Sequence, residues 1–339
     1  MFILVAGGTD IGKIPGISVA GSNPEVLPYT APADADLLWW GETFVTDAIP
    51  VDPEGHPTPA LITRAARVLA DFPTMIVRAG TYLPPVCPFF ETGAEPGGDP
   101  RTGPSVPQAS RLWDAGFSLG RLFSKMNETI VIAETIPGGT TSAFMALRAL
   151  GHDGMVSSAG PQNPVSLKEQ MWTDVAKRLG VQPGGMKGRG LDVVREIGDP
   201  MQAVAGGLVA GALGNAQVVL AGGTQMLAVA ALVRDIGLRE PMTVATTRYV
   251  IEDASADFEA IATSVKADTW AARLDFSESP FPGLADYERG YVKEGVGAGG
   301  AVWYAEKFGV SCEEVALAVG ELYRDMTGFT PSGDPVSDE

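Results

Sequence analysis

The sequence predicts an α/β fold: a Rossmann-like parallel sheet of about six strands with helices on both faces. Three observations lead there. Short apolar or β-branched runs recur along the chain, and each stops at small residues. Stretches of helical periodicity separate them. The chain is also long and apolar enough to fill such a fold, with 339 residues, 45% of them hydrophobic, and with 42 Gly and 26 Pro for tight strand–helix turns. No internal repeat or clean linker interrupts the pattern, so residues 1–327 read as one domain and 328–339 as an acidic, flexible tail.

Phe2–Ala6 is the first run and stops at Gly7-Gly8; without a basic leader it reads as a strand, not a signal peptide. Met75–Ala79 before Gly80 is the second. Pro84 to Pro107 is rich in Pro and Gly, lacks periodicity and is too long for an ordinary turn, which makes it a candidate active-site loop. Thr129–Ala133 follows, β-branched as a strand buried on both faces would be, and Phe144, Leu147 and Leu150 lie beyond it at helical spacing. Met155–Ser158 before Gly160 reads as a further strand. Asp199-Pro200 is an N-cap with proline at the first helical position, opening a helix over Met201–Leu213. Val218–Ala221 ends at Gly222-Gly223, and this break splits the apolar stretch to Val233 into strand, turn and helix, leaving no transmembrane span. Thr243–Thr246 is the last run, and Ser311-Cys-Glu-Glu314 is a capping box opening a final helix to about Met326.

Charge and composition exclude several functions. With 41 acidic against 24 basic residues the formal charge is -17, which opposes nucleic acid and anionic membrane as partners. Small molecules remain. Two cysteines, Cys87 and Cys312, make neither a disulfide framework nor a metal cluster, and a reducing cytoplasm is the expected setting. His56 and His152 are the only histidines. A histidine-rich metal site is therefore excluded, no metal is expected, and a general base is expected to be Glu or Asp.

The motifs lie at strand ends, where open parallel sheets bind ligands. Thr129 to Thr141 runs from a buried strand through Glu134 and Gly138-Gly139 into a helix, so backbone N–H groups, the helix dipole and the hydroxyls of Thr140 and Thr141 can face a phosphate. Glu134 would be repelled by that phosphate unless it faces another part of the substrate; its bland reading is a solvated strand-end residue. Glu294 stands before the glycine cluster Gly295 to Gly300, and its bland reading is a carboxylate drawn to a helix dipole. Ser158 to Pro164 with Lys168, and Gly222-Gly223, are two more strand-end turns of this composition. Gly7 to Lys13 begins like a Walker A loop, but Ile14 stands where Ser or Thr would hold magnesium and Pro15-Gly16 blocks the following helix.

In their order, these motifs resemble the nicotinate-nucleotide:dimethylbenzimidazole phosphoribosyltransferase family over about residues 1 to 310. That family's Gly-Glu-Met-Gly-Ile-Gly-Asn-Thr-Thr compares with Ala133 to Thr141, and its Gly-Glu-Gly-Thr-Gly-Ala with Lys293 to Ala298. Its opening strand and Gly-Val-Ser segment look like Phe2–Gly8 and Gly16-Ile17-Ser18, its Gly-Pro element like Gly103-Pro104-Ser105, and its lysine after the third glycine loop matches Lys168. The resemblance implies phosphoribosyl transfer from nicotinate mononucleotide to an aromatic base such as dimethylbenzimidazole, giving an α-ribotide for the cobalamin lower ligand. It implies Glu294 as general base and Glu134 as its partner. Gly138, Gly139, Thr140, Thr141 and Lys168 would hold the 5′-phosphate, with Gly160, Gly222 and Gly223 at the nucleotide. Gly7, Gly8, Ser105 and Gly295 would line the pocket, and no cofactor is needed. A homodimer is implied too, and the apolar stretch Met201 to Val233 supplies more helix than one sheet face requires. Pro137, Gly139 and Val296 depart from the family pattern and its N-terminal helical segment is missing, which marks a divergent branch and leaves the acceptor base open between dimethylbenzimidazole and another. The alternatives are a non-catalytic nucleotide-binding or regulatory protein, and an NTPase working through Gly7 to Lys13.

Overall fold

The computed structural model describes residues 1–328, so the expected tail lies, but for Gly328, outside the described residues. Seven strands form one sheet, in chain order β1 (Phe2–Gly7), β2 (Thr74–Ala79), β3 (Phe90–Glu91), β4 (Thr129–Thr135), β5 (Gln217–Ala221), β6 (Thr243–Thr247) and β7 (Asp268–Ala272). Their spatial order is β3-β2-β1-β4-β5-β6-β7, with every pairing parallel. The order reverses direction between β1 and β4, and a crevice opens beyond the strand ends at such a point.

The helices are α1 (Leu27–Trp40), α2 (Ala60–Ala70), α3 (Ala109–Phe123), α4 (Gly139–Leu150), α5 (Val165–Leu179), α6 (Gly190–Glu196) and α7 (Pro200–Ala212), followed by α8 (Thr224–Asp235), α9 (Arg248–Ile251), α10 (Phe258–Val265), α11 (Pro282–Ala285), α12 (Ala298–Glu306) and α13 (Cys312–Thr327). Strand alternation divides the core between the two faces. Ile3, Val5, Ile130, Ile132, Val218 and Leu220 pack with α4, α7 and α8. Phe2, Leu4, Val131, Ala133, Val219 and Ala221 pack with α2 and α12 on the other face. Asp199 caps α7 by accepting from Gln202 N–H, and the Ser311–Glu314 capping box is present at α13.

Two differences from the sequence reading have physical causes. Met155–Ser158 joins no strand, because the carbonyls of Val156 and Ser157 accept from the Lys168 ammonium rather than from a neighbouring strand. The sheet gains instead β3 and β7, at its two edges. Residues Met201 to Val233 also need no second subunit to cover them. α7 is buried along nearly its whole length, and α3 docks on it so closely that a Cβ at Gly207 or Gly211 would fall 2.2 Å or 2.1 Å from a carbonyl oxygen of α3. This stretch therefore gives no ground for a dimer. Among the described residues, no helix is long and apolar enough to cross a membrane.

Candidate active site

A cavity of about 990 Å³, its open mouth included, lies beyond the ends of β4, β5 and β6, with α1 forming part of its wall. Glu134 enters it from β4, 1% exposed, and its Oε1 accepts from Gln225 Nε2 at 3.0 Å. Burial pushes its pKa well above the carboxylate range, and the nearby charges of Glu294, Asp199 and Asp34 push the same way.

Glu294 enters from the loop before α12. Its Oε2 accepts from Thr247 N–H at 2.9 Å and from Thr246 Oγ1 at 3.2 Å, and its Oε1 from Gly295 N–H at 3.0 Å. Gly299 N–H, in the first turn of α12, reaches both oxygens at 3.3–3.4 Å. This closeness needs glycine, since a Cβ at 299 would lie 2.0 Å from the Thr246 carbonyl carbon. Burial raises the Glu294 pKa to about 7, outweighing the hydrogen bonds that lower it. The Gly222-Gly223 turn sits between the glutamates: a Cβ at 222 would be 3.5 Å from Glu134 Oε1, and one at 223 would be 3.7 Å from Glu294 Cγ.

Two runs of backbone border the same cavity. At the start of α4, Gly138 has φ 87, which lets the turn press against Gly12. Gly139 N–H donates to Ile136 O and Thr141 N–H to Gly138 O, so part of this turn is already engaged. The second run is Ser157 to Gly160. Three of its carbonyls are engaged: Lys168 Nζ donates to Ser157 O at 2.9 Å, Lys293 N–H to Ala159 O at 3.3 Å and Lys293 Nζ to Gly160 O at 3.1 Å. The N–H groups of Ser157, Ser158, Ala159 and Gly160 have no acceptor among the described residues. Free backbone amides of this kind are candidate donors to an anion. Burial lowers the Lys168 pKa to about 7, the Asp253 charge opposing and the Lys293 charge adding to the fall.

Of the residues expected from sequence, the cavity gathers Glu134, Glu294, Gly138, Gly139, Thr140, Gly223 and Gly295. Gly222 lies just behind the wall. Thr141 is fully buried in α4, its Oγ1 without a partner. Lys168 stands under the Ser157 loop, and Gly160, the last residue of that loop, is not part of the cavity lining. Gly7 and Gly8 border a separate, smaller hollow with Gly12 and Lys13, where Lys13 is paired with Asp10 at 2.9 Å. Ser105 is buried elsewhere, donating to Gly98 O, and no residue of the Pro84–Pro107 loop reaches either hollow. Sequence reasoning missed Asp34, Thr58, Thr135, Asp52, His56, Ser157, Gln225 and the side chain of Lys293, all of which line the cavity. The one available sign was an aspartate within the otherwise apolar Ala33-Asp34-Ala35 segment of a helix.

No protein-family model matches the chain. The fold is one that solved structures share. Nicotinate-nucleotide-dimethylbenzimidazole phosphoribosyltransferase from Thermus thermophilus superposes with a TM-score of 0.61 at 15% identity, covering 96% of this chain and 84% of that one. A structure of CobT from the same organism gives 0.61 and 15%, with 97% and 86% covered. At this identity the likeness is one of fold. The chain itself belongs to the UPF0284 family. It is 50% identical over 330 residues to a UPF0284 protein of Pyrococcus furiosus, with 96% of this chain and 98% of the relative covered. A Thermococcus kodakarensis relative is 50% identical over 333 residues, covering 97% and 98%, and one from Halobacterium salinarum 42% over 325 residues, covering 95% and 97%. This UPF0284 chain thus has the fold of the CobT structures.

Proposed function

We propose that this protein transfers the phosphoribosyl group of nicotinate mononucleotide to an aromatic base, giving an α-ribotide of the kind used as the cobalamin lower ligand. The observation that carries this reading is the pair of buried carboxyls, Glu134 and Glu294, facing a cavity that also offers the free amides of Ser157 to Gly160. The nucleotide phosphate lies on those amides together with Thr140 at the start of α4, and Lys168 holds the loop in place from beneath. The small hollow at Gly7 to Lys13 is not needed for it.

The chemistry asks little else of the protein. The bond between C1′ and the pyridinium nitrogen breaks, and its electron pair neutralises the ring, so nicotinate leaves without an acid. A ring nitrogen of the acceptor donates its lone pair to C1′ from the opposite face. The proton on the acceptor's second nitrogen passes to Glu294, whose pKa of about 7 suits a base working near neutrality. Glu134 with Gln225 faces the positive charge that develops on the ribose. The test is to incubate the protein with nicotinate mononucleotide and a panel of benzimidazoles, purines and phenols, and to follow free nicotinate and ribotide by mass. Tight nucleotide binding with no nicotinate release from any base would overturn the transferase reading in favour of a nucleotide-binding protein. A homodimer is part of the same proposal and rests on the family resemblance alone.

A further inference from the structure

Three carboxyls of the cavity have no basic partner among the described residues. The basic side chains that line it, His56 and Lys293, already have carboxylate partners. His56 Nδ1 lies 2.7 Å from Asp52 Oδ2 and its Nε2 3.0 Å from Asp286 Oδ2, while Lys293 Nζ donates to Asp253 Oδ2 at 2.8 Å. Asp34, Glu134 and Glu294 line the same space with no ion pair among the described residues. Glu294 and Glu134 have the roles given above. Asp34 has none in that mechanism.

Asp34 is 3% exposed, on α1. Its Oδ1 accepts from Thr58 Oγ1 and its Oδ2 from Thr135 Oγ1, each at 2.8 Å. Thr135 directly follows Glu134, and Thr58 precedes Pro59, whose ring would lie 3.0 Å from a Cβ at Gly295, beside Glu294. Asp34 thus stands between the two glutamate segments. A carboxylate offers about four lone-pair sites, and the threonines fill two. A second observation points to a polar ligand here: Thr224, 1% exposed and part of the cavity wall, has no partner for its Oγ1, and neither has Gln225 Oε1. Buried polar atoms left open in a cavity wall are completed by what enters it.

Building on the transferase reading, we propose that the acceptor is an aromatic base bearing an amino group on its ring, and that Asp34 is the specificity-determining residue that accepts from that N–H. A methyl group in the same position would cover the carboxyl without replacing its water. Sites built to hydrogen-bond a substrate group discriminate against an analogue lacking it far better than apolar pockets discriminate by size.

The experiment is calorimetric titration of free 5-aminobenzimidazole, 5-methylbenzimidazole and benzimidazole into the full chain and into Asp34→Leu and Asp34→Asn. The wild type is expected to bind the amino compound at least about tenfold tighter than the methyl compound. Asp34→Leu reverses that order, and Asp34→Asn, which keeps an acceptor oxygen, retains part of it. Equal affinities in the wild type, or a preference that survives in Asp34→Leu, overturn the proposal. Should the leucine variant lack native circular dichroism, the wild-type ratio and the asparagine variant decide. Nicotinate release is measured separately with the same bases. An amino preference without release overturns the transferase reading, and release that favours the methyl compound overturns the role of Asp34.

Discussion

Replacing Glu294 by Gln separates basicity from shape, and its effect on stability should change with pH. The folded carboxyl titrates at about 7 against an ordinary 4.5, so the native state holds this proton more tightly than the unfolded chain. Below the unfolded value both states are protonated and burial of the acid is free. As pH rises through 4.5 towards 7 the native state is asked to release its proton, and above 7 the full cost stands, about 3 kcal/mol. Glutamine removes that cost but brings another. Both carboxylate oxygens accept backbone N–H groups, from Thr247 on one side and Gly295 on the other, so the amide NH₂ must confront one of them. One buried N–H left unpaired costs about 1–3 kcal/mol. Glu294→Gln should therefore be destabilising by about 1–3 kcal/mol at acid pH and between neutral and about 2 kcal/mol stabilising at pH above 7, as read from urea unfolding at both. Above pH about 7 turnover should fall by about 10²–10⁴, and the gap should narrow at acid pH, because wild-type turnover itself rises with pH through about 7. Retention of more than about a tenth of wild-type nicotinate release would refute the base assignment. An equal stability loss at both pH values would refute the raised pKa.

Gly139→Ala places a Cβ 1.9 Å from Gln225 Oε1 and 2.6 Å from Ile136 Cγ2, so Gln225 should swing off Glu134 and turnover drop at least about tenfold; unchanged kinetics would show that Gln225 does not hold Glu134. Gly207→Ala wedges α3 from α7, and a loss of about 1–3 kcal/mol is expected from thermal unfolding, a loss that a variant melting like wild type would exclude. Lys168→Met frees the Ser157 and Val156 carbonyls and should weaken nicotinate mononucleotide binding about tenfold while leaving the dephosphorylated nucleoside unaffected. Equal losses for both ligands would place the phosphate elsewhere. Light scattering at micromolar concentration should give twice the chain mass, and a single species of monomer mass would remove the dimer.

The sheet was legible because five of its strands are buried runs ending in glycine or threonine, where composition and periodicity agree. Phe90–Glu91 is two residues in a proline-rich stretch, and Asp268–Ala272 has one buried position, so neither edge strand carries a pattern. Met155–Ser158 misled because a β-branched apolar run with serines describes an extended segment equally well whether its partner is a strand or a lysine. In the site, Glu134 and Glu294 could be found because each precedes glycines at a strand–helix junction. Asp34, Thr58 and His56 could not, since a helix middle and an irregular loop bring them to the cavity, and only tertiary packing reveals that they are buried. Lys168 was read as a phosphate ligand from its place after a loop; in the structure it is buried and donates to the Val156 and Ser157 carbonyls.

The support given by Lys168 and Lys293 also bears on the timing of binding. The Lys168 and Lys293 side chains hold the Ser157 and Gly160 carbonyls, so the loop with its unpaired amides is already built in the protein alone. Under the proposed function, capture of the nucleotide requires no ordering of this segment, and association is expected as a single concentration-dependent phase with no slow loop-closure step at saturation.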